Sequence, residues 1–241
     1  MSTAPLFLVD TLPDADEVDL TGDEGRHAAR VRRLTAGEPL VLGDGHGALL
    51  DCVVAAVRPA GLHVRVTARR TVSRPDPRIV VVQALPKGDR AELAVETMTE
   101  LGVDEIVPWP AARSVTRWEG SRGDKALQRW RRTAREAAKQ SRRAWVPGVT
   151  DPASTEEIAR RCPAALVLHE AATTPLSTAA VPSSGALVVV VGPEGGISDA
   201  ELDRFVAAGA TTVRLGDAVL RTSTAGAAAL AVLSVRLGRW S

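Results

Sequence analysis

Cysteine is almost missing from this chain: Cys52 and Cys162 are the only two in 241 residues. Two isolated thiols make neither a disulfide framework nor a metal box, and they suit a reducing cytosol. Histidine is sparse too, with His27, His46, His63 and His169 scattered along the chain. That scatter argues against a metal centre, which needs several ligands brought together. No run of about 18 apolar residues occurs, so no transmembrane helix is expected. The opening segment MSTAPLFLVDTLPDADE has no basic stretch followed by a long apolar one, and it reads as lacking a signal peptide. An excess of one charge is also missing. Lys and Arg number 30 against 29 Asp and Glu, so the total says nothing about partners.

The distribution says more. Residues 113–143 hold eleven Lys and Arg against three acids (Glu119, Asp124, Glu136), whereas residues 10–24 are acidic. A locally basic segment in a nearly neutral chain implies an oriented surface, and nucleic acid is the first partner to consider. With 45% apolar residues, the chain can fill one large domain, or one of about 150 residues beside a smaller one.

Two textures divide the chain. Residues 5–70 carry short apolar runs (LFLV, PLVLG, ALLDCVVAAV, LHVRVTA) separated by turn-length gaps such as GDGHG. They predict a small antiparallel barrel with a short helix around DEGRHAARVRRL. The segment SRPDPR, at 73–78, breaks the pattern and marks a boundary between domains 1–73 and 74–241. Beyond it strands alternate with helices: IVVVQAL, EIVPW, AALVLHE, ALVVVV and TTVRLG as strands, with long helices over 90–102 and 124–145. Five strands separated by helices predict an α/β domain with a mainly parallel sheet.

Three stretches carry chemistry. In VVGPEGGISDAEL, residues 190–202, an apolar run leads through glycines into a helix start. Ser198 with Glu201 three residues on forms a capping box, which satisfies the first amides of that helix. Neither a P-loop nor a GxGxxG pattern is present, and Glu194 would repel a phosphate. The loop therefore favours a neutral or cationic ligand, or it is a tight turn that needs glycine for geometry alone. In VRLGDAVLRTSTAGAAALAVL, residues 213–233, a strand gives way to a loop of about eight residues, long for this kind of connection. Long loops at the carboxyl ends of parallel strands are where ligands bind. Leu215, Val219 and Leu220 could wall a pocket for a flat base, and the alanines after Thr224 let other backbone come close. In LVLHE, His169 and Glu170 end another strand, either beside a pocket or simply at the surface.

LVVVVGPEGGISDAEL followed by VRLGDAVLRTSTAGAAAL resembles the signature pair of the SPOUT methyltransferases, and within them the 16S rRNA uracil-N3 methyltransferase family. HAARVRRLTAGEPLVLGDGHG resembles that family's PUA-like barrel. KGDRAELAVETMTELGVDEIVPWPAARSV and RWRRTAREAAKQSRRAWVPGV resemble its central blocks, so the likeness spans nearly the whole chain in order. Thr97 departs from the pattern, since many members carry lysine there.

The resemblance implies a knotted (trefoil) SPOUT sheet behind a PUA-like β-barrel. It implies S-adenosylmethionine as cofactor, held by Leu168, His169 and Glu170, by Gly192, Pro193, Gly195, Gly196 and Ile197, and by Leu215, Gly216, Val219 and Leu220. The donor is a sulfonium cation, so an acid and no lysine in the glycine loop is electrostatically sensible. The substrate implied is a uridine of small-subunit 16S rRNA, whose N3 must lose a proton before it attacks. Arg221 is the candidate to stabilise the developing charge, and Glu194 is a weaker candidate base. Each also reads as structural, Glu194 tied to backbone amides and Arg221 bonded across the knot. RNA-binding residues are expected on the 124–145 helix, where Arg129, Arg132, Arg135, Lys139, Arg142 and Arg143 share a face. Arg113 and a barrel patch of Arg26, Arg30, Arg32 and Arg33 add to them. Trp109, Trp118, Trp130 and Trp145 lie in or beside this basic region, and packing is favoured over stacking on RNA. A cytoplasmic homodimer acting on the small ribosomal subunit, with no metal and no membrane, completes the expectation. Other readings remain: a SPOUT enzyme for another rRNA or tRNA position, a non-enzymatic assembly factor, or a dehydrogenase, which the missing GxGxxG counts against.

Overall fold

The computed structural model describes residues 4–88, 90–161 and 164–240; Cys162 lies outside them. Two compact units form. The first holds residues up to Arg74 together with Ala138–Val146, and the second holds Pro75–Ala137 with the residues from Pro147 onward. The division falls inside SRPDPR, and the return of 138–146 to the first unit has no signal in the linear pattern.

In the first unit β1 (Leu6–Leu8), β2 (Glu17–Leu20), β3 (Pro39–Gly43), β4 (Ala48–Arg58) and β5 (Gly61–Thr71) form one sheet in the order β1-β3-β4-β5-β2. The expected barrel is thus not wholly antiparallel, because β1 pairs with β3 in parallel. Parallel neighbours need a long crossover, and the excursion between them supplies it. That excursion contains β2, the short helix α1 (Gly22–Arg26) and a π-helical turn, His27–Val31. Phe7, Leu40, Leu42, Leu50, Val54 and Leu62 fill the core, with Cys52 among them. Burial, aided by the charge of Asp51, pushes the Cys52 thiol up to about 11, so it stays protonated and unreactive at neutral pH.

The second unit is α/β. Among the described residues its six strands are β6 (Arg78–Ala84), β7 (Glu105–Trp109), β8 (Gly148–Val149), β9 (Leu166–Leu168), β10 (Ala186–Val191) and β11 (Thr211–Val213). They run in the order β11-β9-β10-β6-β7-β8, every pair parallel. All five expected strands are present. The sixth, β8, has two residues and is too short to leave a periodic signal. The valine-rich β6 and β10 lie side by side at the centre, where both faces are covered. Side chains alternate across β6. Ile79 and Val81 pack with α2 (Arg90–Glu100), α3 (Gly120–Gln140) and α6 (Thr222–Arg236). Val80 and Val82 pack with α4 (Thr155–Arg161) and α5 (Asp199–Ala207).

The α3 boundaries differ from the expected 124–145. The helix starts at Gly120 and ends at Gln140. Arg142 takes φ 57°, and the amides of Arg142 and Arg143 turn back to the carbonyls of Lys139 and Ala138. This left-handed stop closes the helix. Arg142 and Arg143 therefore lie beyond it and do not continue its cationic face. Thr97, on α2, bonds through its hydroxyl to the carbonyl of Leu93 at 2.8 Å, so it is satisfied on its own helix.

Candidate active site

The carboxyl ends of β9, β10 and β11 open into one cavity of about 390 Å³. That is the size range of small-molecule sites. Three loops build it. Leu168 ends β9 and His169 and Glu170 follow it; after β10 come Gly192, Pro193, Glu194, Gly196 and Ile197; after β11 come Leu215, Gly216, Val219, Leu220 and Arg221. Every expected cofactor-binding residue faces the cavity except Gly195, whose missing side chain makes room for Arg113. A Cβ at Gly195 would lie 3.1 Å from the Arg113 Cβ and 3.2 Å from its carbonyl oxygen. Arg214, Asp217, Thr222 and Ala225 also line the cavity. Arg214 and Thr222 were not singled out by the sequence pattern, whereas Asp217 lies within the long loop already recognised and Ala225 among the alanines expected to let other backbone come close.

The glycine loop is shaped by close contact. Gly196 takes φ +74°, and its amide donates to the carbonyl of Pro193 at 2.9 Å. A Cβ at Gly192 would come within 2.7 Å of the Ile197 side chain. The bare backbone thus faces the cavity while Ile197 folds beneath it. Arg113 braces the loop from outside, donating to the carbonyls of Ile197 at 3.3 Å and Gly195 at 3.5 Å. Arg113 nevertheless stays exposed, so the expectation of an RNA contact there stands beside this bracing role.

Behind the loop, α5 begins with the expected capping box. Ser198 and Glu201 exchange bonds, and the Glu201 carboxylate also accepts the Ala112 amide at 2.8 Å and the Thr155 hydroxyl at 3.3 Å. Burial works to raise the Glu201 pKa, but the bonds from Ser198, Ala112 and Thr155 together hold it below the ordinary carboxylate value. A depressed folded-state pKa contributes stability that is present above the unfolded pKa and is lost as pH falls through the folded one. The stability of the chain is therefore expected to fall on acidification below about pH 4.5. Glu201→Gln should flatten that fall in denaturant titrations, and an unchanged slope would show that Glu201 is not its source.

The polar groups at the cavity are distinct in kind. The amide of His169 donates to Val213, and its Nδ1 accepts the amide of Ala171 at 3.2 Å, so Nε2 carries the proton. Glu194 accepts the amide of Lys87 at 3.2 Å through one carboxylate oxygen; the other has no protein partner among the described residues. Arg214 pairs with Asp217 at 3.1 Å. Arg221 stands immediately before α6 in extended backbone, and its carbonyl accepts the amides of Thr224 and Ala225. Its guanidinium makes no hydrogen bond or ion pair among the described residues. Glu170, Glu194 and Asp217 thus outnumber Arg214 and Arg221 around a cavity with no lysine. That balance fits a cation-bearing ligand held largely by backbone and apolar walls.

The basic residues fare unequally. Arg129 pairs with Glu92 on α2 at 3.1 Å. Lys139 is only 11% exposed and pairs with Glu24 at 2.8 Å, so its charge is already matched within the first unit. Arg26 is paired with Asp23. Arg30, Arg32 and Arg33 are exposed, as is Arg132 on α3, and none has a side-chain partner among the described residues. Arg135 and Arg143 are half-buried and Arg142 is exposed. Trp109 and Trp130 are wholly buried, and Trp118 stands edge-on to Trp130 at 5.0 Å, so packing accounts for all three. Lys139→Ala is expected to cost roughly 3 kcal/mol of stability, because it strands a largely buried carboxylate. Arg132→Ala should stay within about 0.5 kcal/mol. Equal shifts in the two unfolding midpoints would contradict this division.

No group of three or more His, Cys, Asp and Glu among the described residues could hold a metal ion, and no described helix is long and apolar enough to cross a membrane. Residues 74–234 match the family model of an RNA methyltransferase domain, and residues 20–67 match that of an RNA methyltransferase PUA domain. A catalytic α/β unit and an RNA methyltransferase PUA unit therefore define the class: an RNA methyltransferase. The chain is 51% identical to Ribosomal RNA small subunit methyltransferase E of Mycobacterium tuberculosis, over 98% of this chain and 94% of that one. It is 30% identical to the protein of the same name from Bacillus subtilis, over 92% and 91%. The crystal structure of Ribosomal RNA small subunit methyltransferase E from Neisseria gonorrhoeae bound to S-adenosyl methionine matches with a TM-score of 0.85 at 29% identity, covering 97% of this chain and 98% of that one. The chain belongs to the ribosomal RNA small subunit methyltransferase E family.

Proposed function

We propose that this chain transfers the methyl group of S-adenosylmethionine to N3 of a uridine in 16S rRNA of the small ribosomal subunit. The observation that carries the reading is the cavity itself. A lysine-free glycine loop bearing Glu194 faces an eight-residue loop ending in Arg221, at the carboxyl ends of three parallel strands. The solved relative from Neisseria gonorrhoeae, named as bound to S-adenosyl methionine, supports the choice of donor.

The donor, when bound, supplies a methyl group on a positively charged sulfur. The chain's own residues do the rest. Gly192 and Gly196 bring bare backbone to the ligand, and Leu215, Val219 and Leu220 wall a flat base. Glu194 has one carboxylate oxygen held by the Lys87 amide, which leaves the other to take the N3 proton. Arg221 offers a guanidinium to the negative charge that spreads onto O2 and O4 as that proton leaves. The N3 lone pair then forms the new N–C bond as the S–C bond breaks, and S-adenosylhomocysteine departs neutral at sulfur.

The exposed Arg30, Arg32 and Arg33 of the first unit, with Arg132 of α3, supply cations for RNA phosphates. Pairing of two copies, threading of the C-terminal segment as a trefoil knot and a cytoplasmic location belong to the same reading. Methylation of small subunits and of naked 16S rRNA in vitro, with the product nucleotide mapped, tests it. A methyl at uridine N3 is the expected product. A methyl on ribose, on carbon, or only on other RNA would replace the proposed substrate. No donor binding by calorimetry at millimolar concentration would favour a non-enzymatic assembly factor.

A further inference from the structure

Gln83 is the one polar residue in IVVVQAL and is wholly buried. The alternation that sends Ile79 and Val81 toward α2 and α6 sends Gln83 the same way. Its side-chain nitrogen donates to the carbonyl of Ala84 at 2.9 Å and to that of Thr222, in the first turn of α6, at 3.3 Å. Its oxygen is buried with no hydrogen-bond partner. The helix passes close by: a Cβ at Gly226 would lie 2.7 Å from the Met98 sulfur and 3.3 Å from the Gln83 oxygen.

A buried amide oxygen without a partner destabilises a fold, and an apolar side chain of the same shape would avoid that loss. Stability alone therefore does not favour glutamine at this position. What glutamine adds is a bond from the central strand to the residue that follows Arg221. The Arg221 guanidinium has no bond among the described residues, so only the backbone around it fixes where it stands. Small displacements of a charge-stabilising group lower turnover steeply.

We infer that Gln83 is a positioning residue for methyl transfer, pinning the first turn of α6 and so setting the place of Arg221. The inference rests on the role given to Arg221 above. Gln83→Met removes both the donor and the orphan oxygen at nearly constant volume. The full chain carrying it is expected to keep its unfolding midpoint or raise it, and to bind S-adenosylhomocysteine within about threefold of the unmodified chain. Its single-turnover methylation of small subunits at saturating donor should fall by about tenfold or more. Hydrogen exchange at the Thr224 and Ala225 amides, both bonded to the Arg221 carbonyl, should speed up by about tenfold while Leu233 and Ser234 keep their protection.

Unchanged rate and exchange would overturn the inference. So would a parallel fall in midpoint, affinity and rate in both Gln83→Met and Gln83→Leu, which would make Gln83 purely structural. The exchange measurement needs no substrate. If the unmodified chain fails to methylate small subunits, the proposed function falls, while the exchange measurement still reads whether Gln83 pins the first turn of α6.

Discussion

Arg221→Ala is expected to lower turnover by about 10²–10³-fold while changing donor affinity by less than about threefold. The asymmetry follows from how the residue is held. Its backbone carbonyl accepts the Thr224 and Ala225 amides, and that arrangement survives truncation at Cβ. Its side chain has no hydrogen bond or ion pair among the described residues, so removing it breaks no recorded contact. The walls of the cavity come from Ile197, Leu215, Val219 and Leu220 and from bare backbone at Gly192 and Gly196, none of which changes. On the proposed function, the guanidinium acts in the transition state, where charge would build on the uracil oxygens. Arg221→Lys should recover part of the loss, since it keeps the charge but not the planar fork. Steady-state kinetics on small subunits, with calorimetry of the donor complex, separates the two quantities. An equal loss in both would mean that Arg221 holds the donor instead.

The second large effect is on stability. Asp104→Ala is expected to destabilise the second unit by about 3–5 kcal/mol. Asp104 is 2% exposed and Arg239 16%, and they meet at 2.7 Å. The same carboxylate oxygen accepts the Ile79 amide at 2.7 Å, at the start of the central strand β6. Arg239 also donates to the carbonyls of Gly102 and Pro77, and Arg236 to those of Leu176 and Ala179. These two arginines bind the end of α6 to the loops around it. Deleting Asp104 leaves a buried guanidinium and a buried strand amide without their partner, and low dielectric magnifies that loss. For a unit of this size the unfolding midpoint should drop by roughly 10 °C. A double-mutant cycle with Arg239→Ala should show strong coupling. A loss below about 1 kcal/mol for Asp104→Ala would mean that water or a neighbour replaces the carboxylate.

Much of the site was legible because its chemistry is local in sequence. The glycines at 192, 195 and 196, the Ser198–Glu201 capping box and the long loop before Thr222 each sit within a few residues. Turn geometry and capping act over such distances, so pattern reading finds them. The cationic surface was legible only in part. Spacing grouped Arg129, Lys139, Arg142 and Arg143, but spacing is blind to what each side chain meets. Glu92 lies on another helix and Glu24 in the other stretch of the first unit, and the left-handed turn at Arg142 ends the helix early. The bracing contact of Arg113 was invisible for the same reason, since the carbonyls of Gly195 and Ile197 lie some eighty residues downstream.

The sequence by itself determined the two textures, the parallel strands and the two motif loops, together with the exclusion of a phosphate loop. These follow from hydrophobic periodicity, from glycine and capping chemistry, and from the charge at Glu194, all properties of short segments. Tertiary structure alone decided which arginines remain exposed without a recorded partner, that residues 138–146 rejoin the first unit, and that Gln83 reaches Thr222. Each of those is a contact between distant segments, and its energy depends on burial and on a partner's position, which no local spacing encodes.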